Sequence, residues 1–239
     1  PDLSELVARG GWPGFRDRPL ADALQALRDY LAEVCRVDIT RVDGVKRDPG
    51  RVERLVRSLA RNTAGYAAAR TLASDAEEPS IPLSDESVAA YLDSLSRLMI
   101  VEDQPAWAPH LRSRYRLRQV PKRHFVDPAL AVAALRADPP RLLRDLNFFG
   151  LLFESLVVRD LRVYAQPLDA HVLQYRDSNG LEVDAIVEAV DGRWAAFEVK
   201  LGQAQADEAA ESLLTFSRRI DTAKCGEPSC LAVIVPTGF

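Results

Sequence analysis

Three ionisable residues stand where a β-sheet ordinarily holds apolar ones. Asp184 lies between Val183 and Ala185, and Glu198 and Lys200 flank Val199. All three fall in GLEVDAIVEAVDGRWAAFEVK (residues 180–200), two strand-like runs joined at Asp191-Gly192, a dipeptide suited to a tight hairpin turn. Because side chains alternate along a strand, Glu182, Asp184, Ile186 and Glu188 are expected on one face of the first run. Ala196, Glu198 and Lys200 share a face of the second, with Val183, Ala185, Val187, Phe197 and Val199 on the opposite, apolar face. Pairing the runs brings Asp184 and Glu198 close on one side of the sheet. Two carboxylates so placed repel unless a cation lies between them, and hard oxygen donors suit Mg²⁺ or Mn²⁺. Lys200 would then neutralise developing charge or help orient an attacking water. A half-exposed strand with alternating charge gives the same pattern, so the hairpin alone is weak evidence.

The elements around this hairpin strengthen the chemical reading. Ahead of it, LRDLNFFGLLFESLVVRDLRVYA (residues 143–165) reads as a helix, strongly apolar yet carrying Glu154 in its middle. Burying a carboxylate without a partner costs several kcal/mol, so Glu154 is expected to have one. Three strands follow, over residues 171–176, 181–189 and 193–201, with Asn179-Gly180 as the first turn. A second helix spans 206–220, and CLAVIVP (residues 230–236) reads as a final buried strand. The order is helix, three strands, helix, strand.

Upstream lie two more regions. Residues 20–36 repeat apolar side chains at helical spacing behind a Gly/Pro turn, RGGWPGF (residues 9–15). Between residues 41 and 125 come RVERLVRSLARNTA, with Val52, Leu55, Val56, Leu59 and Ala60 inward and Arg51, Arg54, Arg57 and Arg61 outward, and a short second helix. A third helix is capped by Ser84 and expected to bury Val88, Leu92, Leu95 and Met99, and a β tail follows it. That order reads as a winged helix-turn-helix. In the tail, Arg112, Arg114, Arg116 and Arg118 recur at every second residue, followed by Lys122 and Arg123. On a strand such a row faces one way and suits phosphates, or equally a solvated face paired with acidic neighbours. The third helix itself carries Asp85, Glu86 and Asp93 against Arg97, which would repel a phosphate backbone. The chain is thus expected to be α+β, with a helical connector (1–40), a winged-helix-like domain (41–125) and an αβββαβ domain (126–239).

Composition narrows the classes. The 239 residues carry 31 Lys+Arg against 35 Asp+Glu, spread unevenly: residues 1–125 hold 20 against 18, and residues 126–239 hold 11 against 17. No apolar run approaches the roughly 20 residues that span a bilayer, and no signal-peptide pattern opens the chain. Cys35, Cys225 and Cys230 form no metal-type pair, which fits a reducing cytoplasm. GxxxxGK[ST], GxSxG and HExxH motifs are missing, so the chain has no P-loop of its own.

Glu on a first helix, Asp on the second strand and Glu-x-Lys on the third resemble the signature of the PD-(D/E)XK nuclease superfamily, here Glu154, Asp184, Glu198 and Lys200. More broadly, RGGWP (9–13), YLAEVCRVDI (30–39), SVAAYLDSL (87–95), PKRHFVDPAL (121–130), GLLFESLV (150–157), EVDAIVE and FEVK resemble the C-terminal region of prokaryotic AAA-type ATP-binding proteins. In that family a helical connector and a winged helix precede a nuclease-like domain. The resemblance implies an ATPase domain ahead of the Gly-Gly-Trp-Pro turn, and the chain begins with proline rather than methionine. ATP would belong to that upstream domain alone. It further implies Asp184, Glu198 and Glu154 as ligands of Mg²⁺ or Mn²⁺, Lys200 as electrostatic stabiliser, and DNA as substrate. Val183 stands where the motif has proline. The alternatives are a non-catalytic nucleic-acid-binding module and a protein-interaction module, either one coupled to the upstream ATPase.

Overall fold

The computed structural model describes residues 2–76, 83–109 and 120–236. The arginine row at 112–118 lies outside them. The chain is α+β and divides into two units, Pro1–Asp103 with Arg123–Ser155, and Gln104–Lys122 with Leu156–Phe239.

In the first unit, α1 (Leu3–Arg9) is capped by Asp2, whose carboxylate accepts from the Glu5 N–H. α2 (Leu20–Glu33) buries Ala23, Leu24, Leu27 and Leu31. It does not continue as an α-helix to Arg36: Val34–Asp38 form a π-helical turn leading into α3 (Ile39–Arg41). α4 (Pro49–Arg61) starts with proline, is capped by Asp48, and buries the five apolar residues its periodicity predicts. α5 (Ala69–Ala76) and α6 (Asp85–Arg97) follow, with Ser84 capping α6 through the Ser87 N–H at 3.2 Å.

One expectation for α6 fails at its end. Leu92 is only half-buried, and Met99 is 61% exposed with φ of 57°. The helix stops at Arg97, so Met99 turns outward in the left-handed region while Ile100 and Tyr91 fill the core. β1 (Val101–Gln104) and β2 (Lys122–Phe125) then form a two-stranded sheet, their outer residues Gln104 and Lys122 counted with the second unit.

α7 (Pro128–Ala134) packs against α2 and α4, and α8 (Pro139–Leu142) against α1. The glycine turn explains part of this packing. Gly10 has φ of 73°, and a Cβ there would lie 2.7 Å from Asp127 Oδ1. The Gly11 N–H donates to Asp127 Oδ2 at 2.8 Å while Oδ1 accepts from Ala129 at the start of α7. One buried carboxylate thus ties the turn to the helix.

The second unit is a mixed four-stranded sheet in the order β3-β4-β5-β6, built from Ala170–Arg176, Glu182–Ala189, Trp194–Val199 and Cys230–Ile234. β3/β4 and β4/β5 are antiparallel, and β5/β6 is parallel. α9 (Leu146–Ala165) passes from the first unit into the second, where Val158 and Ala165 pack with Val172 and Ala185 on one face. Trp107, Trp194 and Phe216 fill the other face, Phe216 coming from α10 (Ala206–Arg219). α11 (Thr222–Cys225) precedes β6. The order of helices and strands is as expected, but β6 is half-buried because it forms an edge of the sheet. No helix among the described residues is long and apolar enough to cross a membrane.

Candidate functional site

Strict alternation on β4 does not hold. Leu173 pairs with Ile186 and Tyr175 with Val183, so two steps on β3 match three on β4. The extra residue is a β-bulge at Asp184 and Ala185. It puts Val183 and Ile186 into the tryptophan-lined core together, while Ala185 packs on the α9 face. A buried side chain spans the bulge. Gln104 Nε2 donates to the Leu173 and Asp184 carbonyls, at 3.0 and 2.9 Å.

The bulge also aims Asp184. The β4–β5 ladder runs from Glu188↔Trp194 to Ala185↔Phe197 and stops there. Beyond it, the Val199 N–H donates to Asp184 Oδ2 at 2.9 Å, so a carboxylate replaces a ladder carbonyl. Lys122 Nζ donates to Oδ1 at 3.2 Å. Lys200 Nζ lies 2.7 Å from Glu198 Oε2 and 3.7 Å from Asp184 Oδ2. The side chains of Lys122 and Glu198 are only 4% and 6% exposed, and that of Lys200 is 31% exposed. The site is therefore two carboxylates and two ammonium groups on three strands, with Lys200 its most open member.

The two carboxyls behave differently. Burial would raise Asp184, but Lys122, Lys200 and the Val199 N–H together outweigh it and hold the group below the usual carboxylate range. Burial, then the neighbouring charge of Asp184, push Glu198 up to about 7 against the pull of Lys200. Asp184 is thus anionic at neutral pH while Glu198 stands near its midpoint. Paired carboxyls with opposed environments are a mark of functional sites.

The other charges on β4 have structural partners. Glu188 accepts from the Trp107 indole at 3.0 Å, and Glu182 pairs across the ladder with Arg176 at 3.0 Å. Glu154 is buried on α9 and belongs to the first unit, whereas Asp184, Glu198 and Lys200 belong to the second. Lys122 and Arg123, grouped in the sequence with the phosphate-facing row, are engaged within the protein instead. Arg123 Nε donates to Asp103 at 2.9 Å. Period-two alternation separates these two: Lys122 and His124 share the buried face of β2, and Arg123 points away. That signal was present in the sequence; the Gln104 contact had none.

Two carboxylates are the donor set by which Mg²⁺ is commonly held, completed by water and substrate phosphate, and Asp184 with Glu198 fit it in kind. Among the described residues no group of three or more His, Cys, Asp or Glu side chains is placed to hold a metal ion.

This arrangement lies across two matched families. The chain belongs to the family described as Domain of unknown function (DUF8612), which matches residues 1–141. Residues 149–238 match a second, Domain of unknown function (DUF4143), a domain commonly associated with AAA ATPases. Glu154, Asp184, Glu198 and Lys200 fall within the second match, and Lys122 within the first. No curated protein and no solved structure matches the chain.

Proposed function

We propose that the second unit carries a phosphodiester-hydrolysing site of the PD-(D/E)XK kind, acting on DNA and coupled to an AAA-type ATPase domain. The observation that carries this reading is the convergence of Asp184, Glu198 and Lys200, with one ammonium within 3.7 Å of both carboxylates. Asp184 and Glu198 would hold Mg²⁺ or Mn²⁺, which when bound supplies a Lewis acid for the phosphoryl oxygen and a more acidic water. Lys200 places its charge where negative charge develops on the phosphate. Lys122, fixed from below by burial, keeps Asp184 ionised and oriented. DNA binding is read into α4 to α6 and the β1–β2 pair as a winged helix, with the Arg112–Arg118 row, in the Gln104–Lys122 stretch counted with the second unit, as the phosphate contact.

A second reading, a site that binds without turnover, draws on a specific observation: Asp184 already has both oxygens satisfied by Lys122 and Val199. Cleavage of single- and double-stranded DNA in Mg²⁺ or Mn²⁺ separates the two. Under the hydrolytic reading cleavage is metal-dependent and is lost at least a hundredfold in Asp184→Ala and Lys200→Ala. Salt-sensitive DNA binding without cleavage, equal in parent and variants, supports the second reading and overturns the first.

A further inference from the structure

A cavity of about 150 Å³ lies within the first unit, where α2, its π-helical continuation, α4 and the end of α7 meet. Four guanidinium-bearing residues line it, Arg28, Arg36, Arg57 and Arg136, against a single acid, Glu53. Cys35 also lines it, but burial pushes that thiol up to about 12, so it adds no negative charge. The cavity wall therefore carries three more positive charges than negative ones. Arg36, Arg57 and Arg136 are exposed and Arg28 is half-buried, so the charges stand at a solvent-open mouth where an anion can reach them. The Arg28 Nε is buried and has no hydrogen-bond partner among the described residues. The Arg28 Nη1 reaches Gln25 Oε1 at 3.5 Å, so Nε is the guanidinium donor left for an oxyanion.

The backbone at this cavity is unusual twice over. The Val34–Asp38 turn that supplies Cys35 and Arg36 is π-helical, a form concentrated at functional positions. Arg136 sits just beyond the C-cap of α7 with φ of 50°, its N–H bonded to the Ala133 carbonyl and the Ala137 N–H to that of Val132. Glycine suits that left-handed position best, since any side chain strains it. An arginine held there at a conformational cost points to a use for its side chain.

We propose that this cavity binds a phosphate-class oxyanion through Arg28, Arg36, Arg57 and Arg136. Its volume is below the range of sites that enclose whole drug-sized ligands, so it takes one phosphate group with the rest of the ligand outside. The forked guanidinium matches phosphate oxygens two at a time.

Calorimetry on the full chain with inorganic phosphate, in a buffer free of other oxyanions, tests this directly. The expected result is saturable binding that sulfate competes for and chloride does not, weakened at least tenfold in Arg36→Ala, Arg57→Ala and Arg136→Gly. The last variant also separates binding from structure: relief of the left-handed strain raises its thermal midpoint while phosphate affinity falls. Two further titrants identify the source of the group. Tighter binding of a 5′-mononucleotide than of its nucleoside marks a terminal phosphate, and tighter binding of an oligonucleotide lacking terminal phosphates marks a backbone phosphodiester. Absence of binding by all three phosphate-bearing titrants, or equal affinity in parent and arginine variants, overturns the proposal.

Discussion

Asp184 draws its properties from its neighbours more than from its own position. It is a carboxylate in a sheet, kept ionised by two ammonium groups and a backbone N–H that together outweigh burial. Removing Lys122 takes away the more deeply buried of those cations. Lys122→Met is therefore expected to destabilise the fold by about 3 kcal/mol in chelator, the usual scale for stranding one member of a buried ion pair. Adding Asp184→Asn should recover part of that loss, and urea denaturation of the two single variants and the double variant measures it. Strictly additive effects would mean that the pair is not coupled.

Glu198 responds in the opposite sense. Its folded value of about 7 lies above the ordinary 4.5, so the stability of its neutral form is fully present below pH 4.5 and is lost as pH rises through 7. Glu198→Gln carries no such loss. Relative to the parent in chelator, it should gain roughly 1–3 kcal/mol between about pH 5 and pH 8. A stability difference that stays flat over this window would show that the Glu198 carboxyl is not raised.

At the scale of elements, one inserted residue decides the site. Without the bulge, Val183 would face the side opposite Ile186, and Asp184 would project from the regular pleat rather than reach the Val199 N–H. Gln104 ties the bulge together by donating to the Leu173 and Asp184 carbonyls. Gln104→Leu removes both bonds from a buried position, and a loss of about 1–3 kcal/mol by chemical denaturation is expected. No change would mean that water replaces the amide there.

The sequence made most elements legible because local signals agreed. Ser84 and Asp48 cap as their types suggest, Gly180 and Gly192 turn with positive φ, and α4 buries the stripe that its periodicity marks. The strands that carry Asp184, Glu198 and Lys200 were legible for the same reason, but the bulge that aims Asp184 at them was not. What escaped depends on contacts distant in sequence. A bulge leaves no mark in the residues that form it, and Lys122 reaches Asp184 across 62 positions. Met99 departs from the helical periodicity because α6 stops two residues before it.

At the scale of the whole molecule, the chain joins a DUF8612 region to a DUF4143 domain, and its charge follows a similar division. The N-terminal 125 residues carry 20 basic against 18 acidic side chains, and the remainder 11 against 17. Under the proposed function the more basic part meets nucleic acid and the acidic part holds cations. The carboxylate site expresses that division locally, since Lys122 and Lys200 already supply two positive charges to Asp184 and Glu198. A divalent ion entering there competes with Lys122 for Asp184.

The most direct measurement is a calorimetric Mn²⁺ titration of the parent, Asp184→Ala and Lys122→Met. The expected result is one saturable site in the parent, none in Asp184→Ala, and binding roughly tenfold tighter in Lys122→Met once the competing ammonium is gone. Absence of Mn²⁺ binding in both the parent and Lys122→Met would contradict a metal-dependent site and leave the four charges as a self-neutralised structural cluster.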